Sequence, residues 1–195
     1  MILSNRDIIE CVDKGVFDID PLAGKDPTKA PFNTSAVDLR LSNQIQVPQN
    51  NPAALDLRKP GIAAFLAKIS KKIIITDDQA HTLKPRDFVL GQTLEKVNFS
   101  LPAGNFCYSA RVEGKSSLAR CGILVHFTAP TIHAGWSGPI TLEIANLGPM
   151  DFLLYPGMYI CQLIIEQVLH PPVEAPNQFK GQTNPAGEVP ESAKN

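Results

Sequence analysis

Short runs that alternate apolar and polar positions dominate the chain, and proline or glycine fences most of them. Ile140, Leu142 and Ile144 alternate with Thr141, Glu143 and Ala145, and Ser35–Leu41 repeats the period around Val37, Leu39 and Leu41. A period of two belongs to a half-buried β-strand. Further strands are expected over Lys72–Thr76, Phe88–Thr93, Phe106–Val112 and Ile123–Thr128. Pro149–Tyr155 and Met158–Gln167 read as a closing hairpin around Pro156-Gly157. Helical signals are few. Ser4 can cap a short opening helix, with Asp7 placed as the partner of a capping box, Ile8, Ile9 and Val12 as its apolar face and Gly15 as its stop. Gly61–Ile69 suits one or two turns, and Glu113–Gly122 has the small, polar start and glycine end of another short helix. Asp20–Pro31, Pro48–Pro60 and Pro130–Gly138 are connections, and the composition after Leu169 turns to that of a mobile tail.

Composition sharpens this into a fold class. Seventeen prolines and thirteen glycines cut 195 residues into pieces too short for a helical bundle, so the chain is expected to be mainly β, with one domain over residues 1–170 and a tail over 171–195. A net charge of -1 removes the general nucleic-acid binders, because no basic excess is available to hold a polyanion. The four cysteines form no C-x-x-C pair, which argues against zinc and against a disulfide framework. Ser4, Asn5, Arg6 and Asp7 interrupt the apolar start, and no run of about 18 apolar residues follows, so neither a secretory leader nor a membrane span is expected and the default location is the cytoplasm.

Candidate chemistry concentrates between Arg111 and Asn146. Gly114-Lys115-Ser116 suggests a phosphate loop, but that motif needs a glycine where Ser109 stands. The weaker reading is a strand end where helix-start N–H groups, two hydroxyls and two cations converge on phosphate, with Ser116 and Arg120 on one helical face; a capped, solvated turn competes with it. Glu143 is the lone acid between Glu113 and Asp151. It sits either half-exposed at an edge or in a pocket, where burial would lift its pKa toward neutrality and suit it to act as base and then acid. Asp38 and Arg40 share a polar face and are expected to pair. His81 reads as a solvated histidine, His126 and His133 lack a third metal ligand at useful spacing, and Trp136 is a packing residue or a stacking platform.

Taken together, Glu113–Gly122, Val125–Ala129, Ala134–Gly138, Leu142-Glu143, Pro156–Met158, Leu3–Ile8 and Ser35–Leu41 resemble the dCTP deaminase branch of the dUTPase superfamily. The resemblance implies a distorted, jelly-roll-like β-barrel with a few short helices, assembled as a homotrimer with active sites between subunits. It implies zinc-free hydrolysis of dCTP to dUTP and ammonia, with Mg2+ carried on the triphosphate. Glu143 would shuttle protons and Ser116 and Arg120 would work beside it. Lys115, Ser117, Thr128, Ala129, His133, Trp136 and Gln162 would contact the nucleotide, and Lys180 and Gln182 in the tail would close over the phosphates. Two departures stand out: Thr131 and His133 occupy the turn where relatives carry arginine and aspartate, and Lys115 replaces an arginine. The missing aspartate argues against pyrophosphate hydrolysis. A dUTP or dCTP pyrophosphatase, a bifunctional enzyme and a silent nucleotide-binding trimer are the alternatives.

Overall fold

The computed structural model describes residues 1–51, 54–56, 58, 61–101, 106–170, 172–173 and 185. The opening helix α1 (Asn5–Asp13) forms as the sequence dictates. Ser4 and Asp7 complete a reciprocal capping box, Ile8 is buried, and the chain leaves through Gly15 at φ 65°. After α1 come β1 (Asp18–Asp20), β2 (Phe32–Asn33), β3 (Ala36–Arg40), β4 (Gln44–Pro48) and helix α2 (Ile62–Ile69). Next are β5 (Ser70–Ile74), β6 (His81–Leu83), β7 (Phe88–Asn98), β8 (Cys107–Gly114) and the single turn α3 (Ser116–Ala119). The chain closes with β9 (Ile123–Val125), β10 (Thr131–Ile132), β11 (Ser137–Asn146), β12 (Phe152–Leu154) and β13 (Tyr159–Val168).

Two sheets enclose the core. One runs β5-β4-β7-β11-β9, with β1 on β7; the other runs β10-β8-β13-β3-β2. A bridge between Leu41 and Thr93 stitches them together. Inward-facing Val37, Leu39, Val89, Val97, Leu142, Ile144, Leu163 and Ile165 are all fully buried, so each alternating strand spends its apolar positions on one shared core. At about 1.5–3 kcal/mol for each such side chain, this burial is the main stabilising term. No helix among the described residues is long and apolar enough to cross a membrane.

β11 carries the feature that matters most for function. Its register against β7 slips between Pro139 and Thr141, where proline has no N–H to give. The Ile140 amide turns instead to Thr93 Oγ1 at 2.9 Å, and Thr93 passes its own proton to the Glu95 carbonyl at 2.7 Å. Beyond the slip the alternation resumes, with Ile140, Leu142 and Ile144 buried and Thr141 and Glu143 half-exposed on the other face.

Several expectations change. The closing hairpin does not form: β12 pairs with β6, while β13 lies between β3 and β8. The turn after β12 carries the chain from this separate two-stranded β12-β6 sheet to the sheet of β13, with the Gly157 amide bonded to the Leu41 carbonyl at 2.8 Å. Asp38 and Arg40 do not pair. Each finds a partner distant in sequence, Lys115 at the start of α3 for Asp38 and Glu95 on β7 for Arg40. Arg40 Nε meets Glu95 Oε1 at 2.6 Å, and the Arg40 amide reaches the other carboxylate oxygen at 2.8 Å, inside the protein. Nor is His81 freely solvated. It lies half-buried on β6 with Nε2 enclosed and without a hydrogen-bond partner among the described residues, and burial, opposed by Asp87, lowers its pKa.

Candidate functional site

The segment from Gly114 to Gly148 is held by a contact that only glycine permits. Gly122 has φ 92°, and a side chain there would meet the Gly148 Cα at 2.5 Å. A side chain on Gly148 would in turn run into the Cys121 carbonyl. The Leu147 amide donates to the Gly122 carbonyl at 2.8 Å across this approach. Asn146 buttresses it from a fully buried position, giving its amide hydrogens to the Leu83 and Met150 carbonyls at 3.0 and 2.7 Å and accepting from Gly148 at 2.9 Å. The exit of α3 is therefore pinned to the end of β11.

α3 is shorter than the ten-residue stretch suggested, at four residues. A single turn sums few peptide dipoles, so the phosphate reading loses its helix-terminus contribution and rests on side chains. Lys115 precedes the turn. Its ammonium pairs with the Asp38 carboxylate and stands 5.9 Å over the Tyr159 ring. Asn33 also donates to Asp38 at 2.9 Å. Ser116, Ser117 and Arg120 are exposed, and their side chains have no hydrogen-bond or ion-pair partner among the described residues. Gln162, across from Asp38 on β13, donates to the Gly114 carbonyl at 3.3 Å just before this segment.

Glu143 faces His126, a residue whose role the sequence did not disclose. The His126 amide donates to the Glu143 carbonyl at 2.8 Å, and the ring folds over so that Nδ1 lies 3.0 Å from Glu143 Oε2. That contact lies off the line of the ring N–H, so it is Coulombic before it is a hydrogen bond. The other ring nitrogen, Nε2, is 2.9 Å from the Ala129 carbonyl. Burial pulls the His126 pKa down, but the Glu143 carboxylate, aided by the Ala129 and Thr141 carbonyls, outweighs it and leaves the ring above its ordinary value. For Glu143, burial pushes up; the His126 ring, its own amide and that of Phe127 outweigh this and hold the carboxyl below the usual range. The expected rise of Glu143 toward neutrality is therefore reversed. A lone histidine on an apolar strand gives no hint of this in sequence, because the ring reaches Glu143 only through the turn after β9.

The other expected site residues that the structure describes lie on several elements. Thr128 and Ala129 are exposed immediately after His126, and Phe127 leans on Phe88 with ring centroids 5.7 Å apart. His133 is exposed on the turn after β10. Trp136 is 7% exposed and belongs to the core, with its indole N–H directed to the Gly138 carbonyl at 3.3 Å. Lys180 and Gln182 lie outside the described residues. Among the described residues no three His, Cys, Asp or Glu side chains are grouped to hold a metal ion.

Residues 2–168 match the family model described as dCTP deaminase-like. A dCTP deaminase of Rhodospirillum rubrum is 36% identical over 178 residues, covering 88% of this chain and 85% of that protein. A protein of Methanosphaera stadtmanae named dCTP deaminase, dUMP-forming, is 36% identical over 195 residues, covering 94% and 91%. Among solved structures, the 2'-deoxycytidine 5'-triphosphate deaminase of Agrobacterium tumefaciens superposes with a TM-score of 0.63 at 19% identity, over 86% of this chain. This chain spans 47% of that longer one, and the likeness is one of fold.

Proposed function

The chain belongs to the dCTP deaminase-like family, and from that premise we propose that it hydrolyses dCTP to dUTP and ammonia without zinc. The observation that carries the reading is Glu143. It is a half-buried carboxylate held ionised by His126, beside the exposed Thr128–Ala129 stretch. Of the relatives quoted above, one is named dCTP deaminase and the other dCTP deaminase, dUMP-forming, so both names support dCTP deamination.

An ionised Glu143 is suited to the first step. It takes a proton from water as the oxygen bonds to C4 of the cytosine, and delivers that proton to ring N3. The tetrahedral carbon then passes a proton from its new hydroxyl to the amino group by way of Glu143. The C4–N bond breaks, ammonia leaves, and the ring retains the oxygen as the carbonyl of uracil. Ser116 and Arg120 orient the water and the developing charge, in the role that a Lewis acid fills elsewhere. Lys115 and Ser117 take phosphate oxygens. Thr128 and Ala129 meet the base with their backbone, His133 and Gln162 border the nucleotide, Trp136 serves as packing in the core, and Lys180 and Gln182 close over the nucleotide. Mg2+ arrives as part of the triphosphate substrate. The assembly belonging to this reading is a cytoplasmic homotrimer with sites between subunits. The Ser116, Ser117 and Arg120 side chains, exposed and without a partner among the described residues, support it by leaving the grip open to a second copy.

Incubation with dCTP and Mg2+, with products separated by chromatography, tests this directly. Release of ammonia with dUTP is expected, and Glu143→Gln should lower kcat by about 10²–10⁴-fold while the fold is retained. Absence of ammonia release, or full activity in the variant, refutes it. A second reading, a deaminase that continues to dUMP, is favoured by the name of the Methanosphaera stadtmanae relative. Formation of dUMP and pyrophosphate from dCTP in the same assay would establish it.

A further inference from the structure

We propose that His126 is the positioning residue of the carboxylate at position 143: its ring fixes where Glu143 points and keeps one mobile proton against it. The inference rests on the reading of Glu143 as proton shuttle.

The geometry leaves the ring little freedom. Its side chain is 6% exposed. Three contacts fix it: the His126 amide to the Glu143 carbonyl at 2.8 Å, Nε2 to the Ala129 carbonyl at 2.9 Å, and Nδ1 to Glu143 Oε2 at 3.0 Å. A carbonyl oxygen only accepts, so Nε2 carries a hydrogen. Nδ1 and the carboxylate oxygen, both bare, would bring two electron-rich atoms to 3.0 Å from each other, the oxygen lying off the line of the Nδ1 lone pair. One proton relieves the repulsion, as imidazolium with carboxylate or as imidazole with carboxylic acid. Both forms are neutral overall and differ only in where the proton sits. Among the described residues Glu143, from β11, is the charged group that acts on the ring. The other groups that act on the pair are backbone: the Ala129 and Thr141 carbonyls on the ring and the Glu143 and Phe127 amides on the carboxylate.

The backbone points the same way. His126 sits at φ 63°, a conformation that a residue with a Cβ adopts at a cost and keeps only where its surroundings fix it. What that conformation achieves here is to turn the ring under Glu143 while Thr128 and Ala129 emerge on the surface. The same ring thus holds the carboxylate and the carbonyl of the stretch that would meet the base. A shift in one is felt by the other.

Two measurements decide the matter. In substrate-free protein, imidazole 15N NMR should find the His126 ring titrating above the ordinary histidine range, and Glu143→Gln should move that titration down. A ring that titrates at or below the ordinary range, or one unmoved by Glu143→Gln, overturns the pairing. This arm stands even if the protein releases no ammonia from dCTP, which would instead refute the proposed function. The kinetic arm uses His126→Asn, which tolerates positive φ and offers an uncharged donor, and His126→Gly, which removes the ring without backbone strain. In both, the acid limb of kcat/KM for dCTP should move to higher pH, because burial then acts on Glu143 without its partner. Added imidazole should restore the limb in His126→Gly. An acid limb that stays in place while kcat alone falls would reduce His126 to a structural residue.

Discussion

Gly122→Ala separates close backbone approach from conformational strain, because Gly15 supplies a matched control. Both glycines have positive φ, 92° and 65°, but a Cβ at Gly15 has nothing within 4 Å, whereas one at Gly122 meets the Gly148 Cα at 2.5 Å. The strain of placing an L-residue there is about 1–2 kcal/mol and is common to both. At Gly122 the two backbone segments must also part by about 1 Å to restore ordinary contact. That breaks the Leu147 to Gly122 hydrogen bond of 2.8 Å, a further loss of about 1 kcal/mol. Gly122→Ala should therefore destabilise by about 3 kcal/mol and Gly15→Ala by about half that. In a chain of this size the first corresponds to a fall in Tm of roughly 6–12 °C. Urea titration should show both as shifts of midpoint at constant slope. The same parting moves Ser116 and Arg120 relative to Glu143, and a 1 Å misplacement lowers turnover by about 10²-fold. Gly15→Ala, remote beyond the end of α1, should leave turnover alone. If Gly122→Ala costs no more stability than Gly15→Ala and turns over normally, the pinning argument is wrong.

Other consequences are checked more briefly. Glu95→Gln should cost about 3–5 kcal/mol in urea unfolding, since its new amide would face the Arg40 amide or guanidinium, both donors, in a site where the carboxylate is 3% exposed. Lys115→Ala should raise KM for the triphosphate by about tenfold, equivalent to about 1.4 kcal/mol, while Lys115→Arg should hold or lower it, as steady-state kinetics will show. The His126–Glu143 pair also makes stability depend on pH. The ring's raised pKa stabilises below its unfolded value and is lost as pH rises through the folded one. The carboxyl's lowered pKa stabilises above its unfolded value and is lost as pH falls through the folded one. Relative to wild type, Glu143→Gln should thus lose most stability between those limits and little outside them, measured by urea midpoints across pH.

Local signals were legible along the chain, and long-range pairings were not. Ser4, Asp7 and Gly15 announce α1 because a cap is satisfied within a few residues, and the alternation over β11 places Glu143 opposite the core without any knowledge of its neighbours. β1, β2 and β10 escape notice at two or three residues each, too short to display a period. The closing hairpin was a reasonable local reading defeated by partners distant in sequence, since β12 joins β6 and β13 joins β3. Asp38 shows the same limit: Arg40 is its neighbour on the strand face, yet Lys115 lies closer in space. The family motifs crossed this gap because they encode the whole arrangement, including positions such as Gly122 whose need for glycine appears only once Gly148 is beside it.

The reversal at Glu143 changes how its chemistry must be argued. A carboxyl raised by burial would wait partly protonated, ready as an acid but poor at taking a proton from water. Glu143 is instead held ionised by His126, so in the proposed reaction the base step comes first and needs no prior loss of a proton. The difficulty moves to the second step, where the same carboxyl must give its proton to the ring nitrogen. A partner that stabilises the anion helps there too. Once Glu143 is protonated beside an imidazolium, it is a stronger acid than an isolated buried carboxyl, and transfer to N3 restores the favourable pair. Burial alone would favour the proton staying on Glu143; burial with His126 favours its being passed on. The cost is a weaker base at the outset, a loss that Ser116 and Arg120 would offset by orienting the water. A pH profile in which His126→Asn gains in the proton-abstracting step and loses in the proton-donating one would be the signature of that exchange.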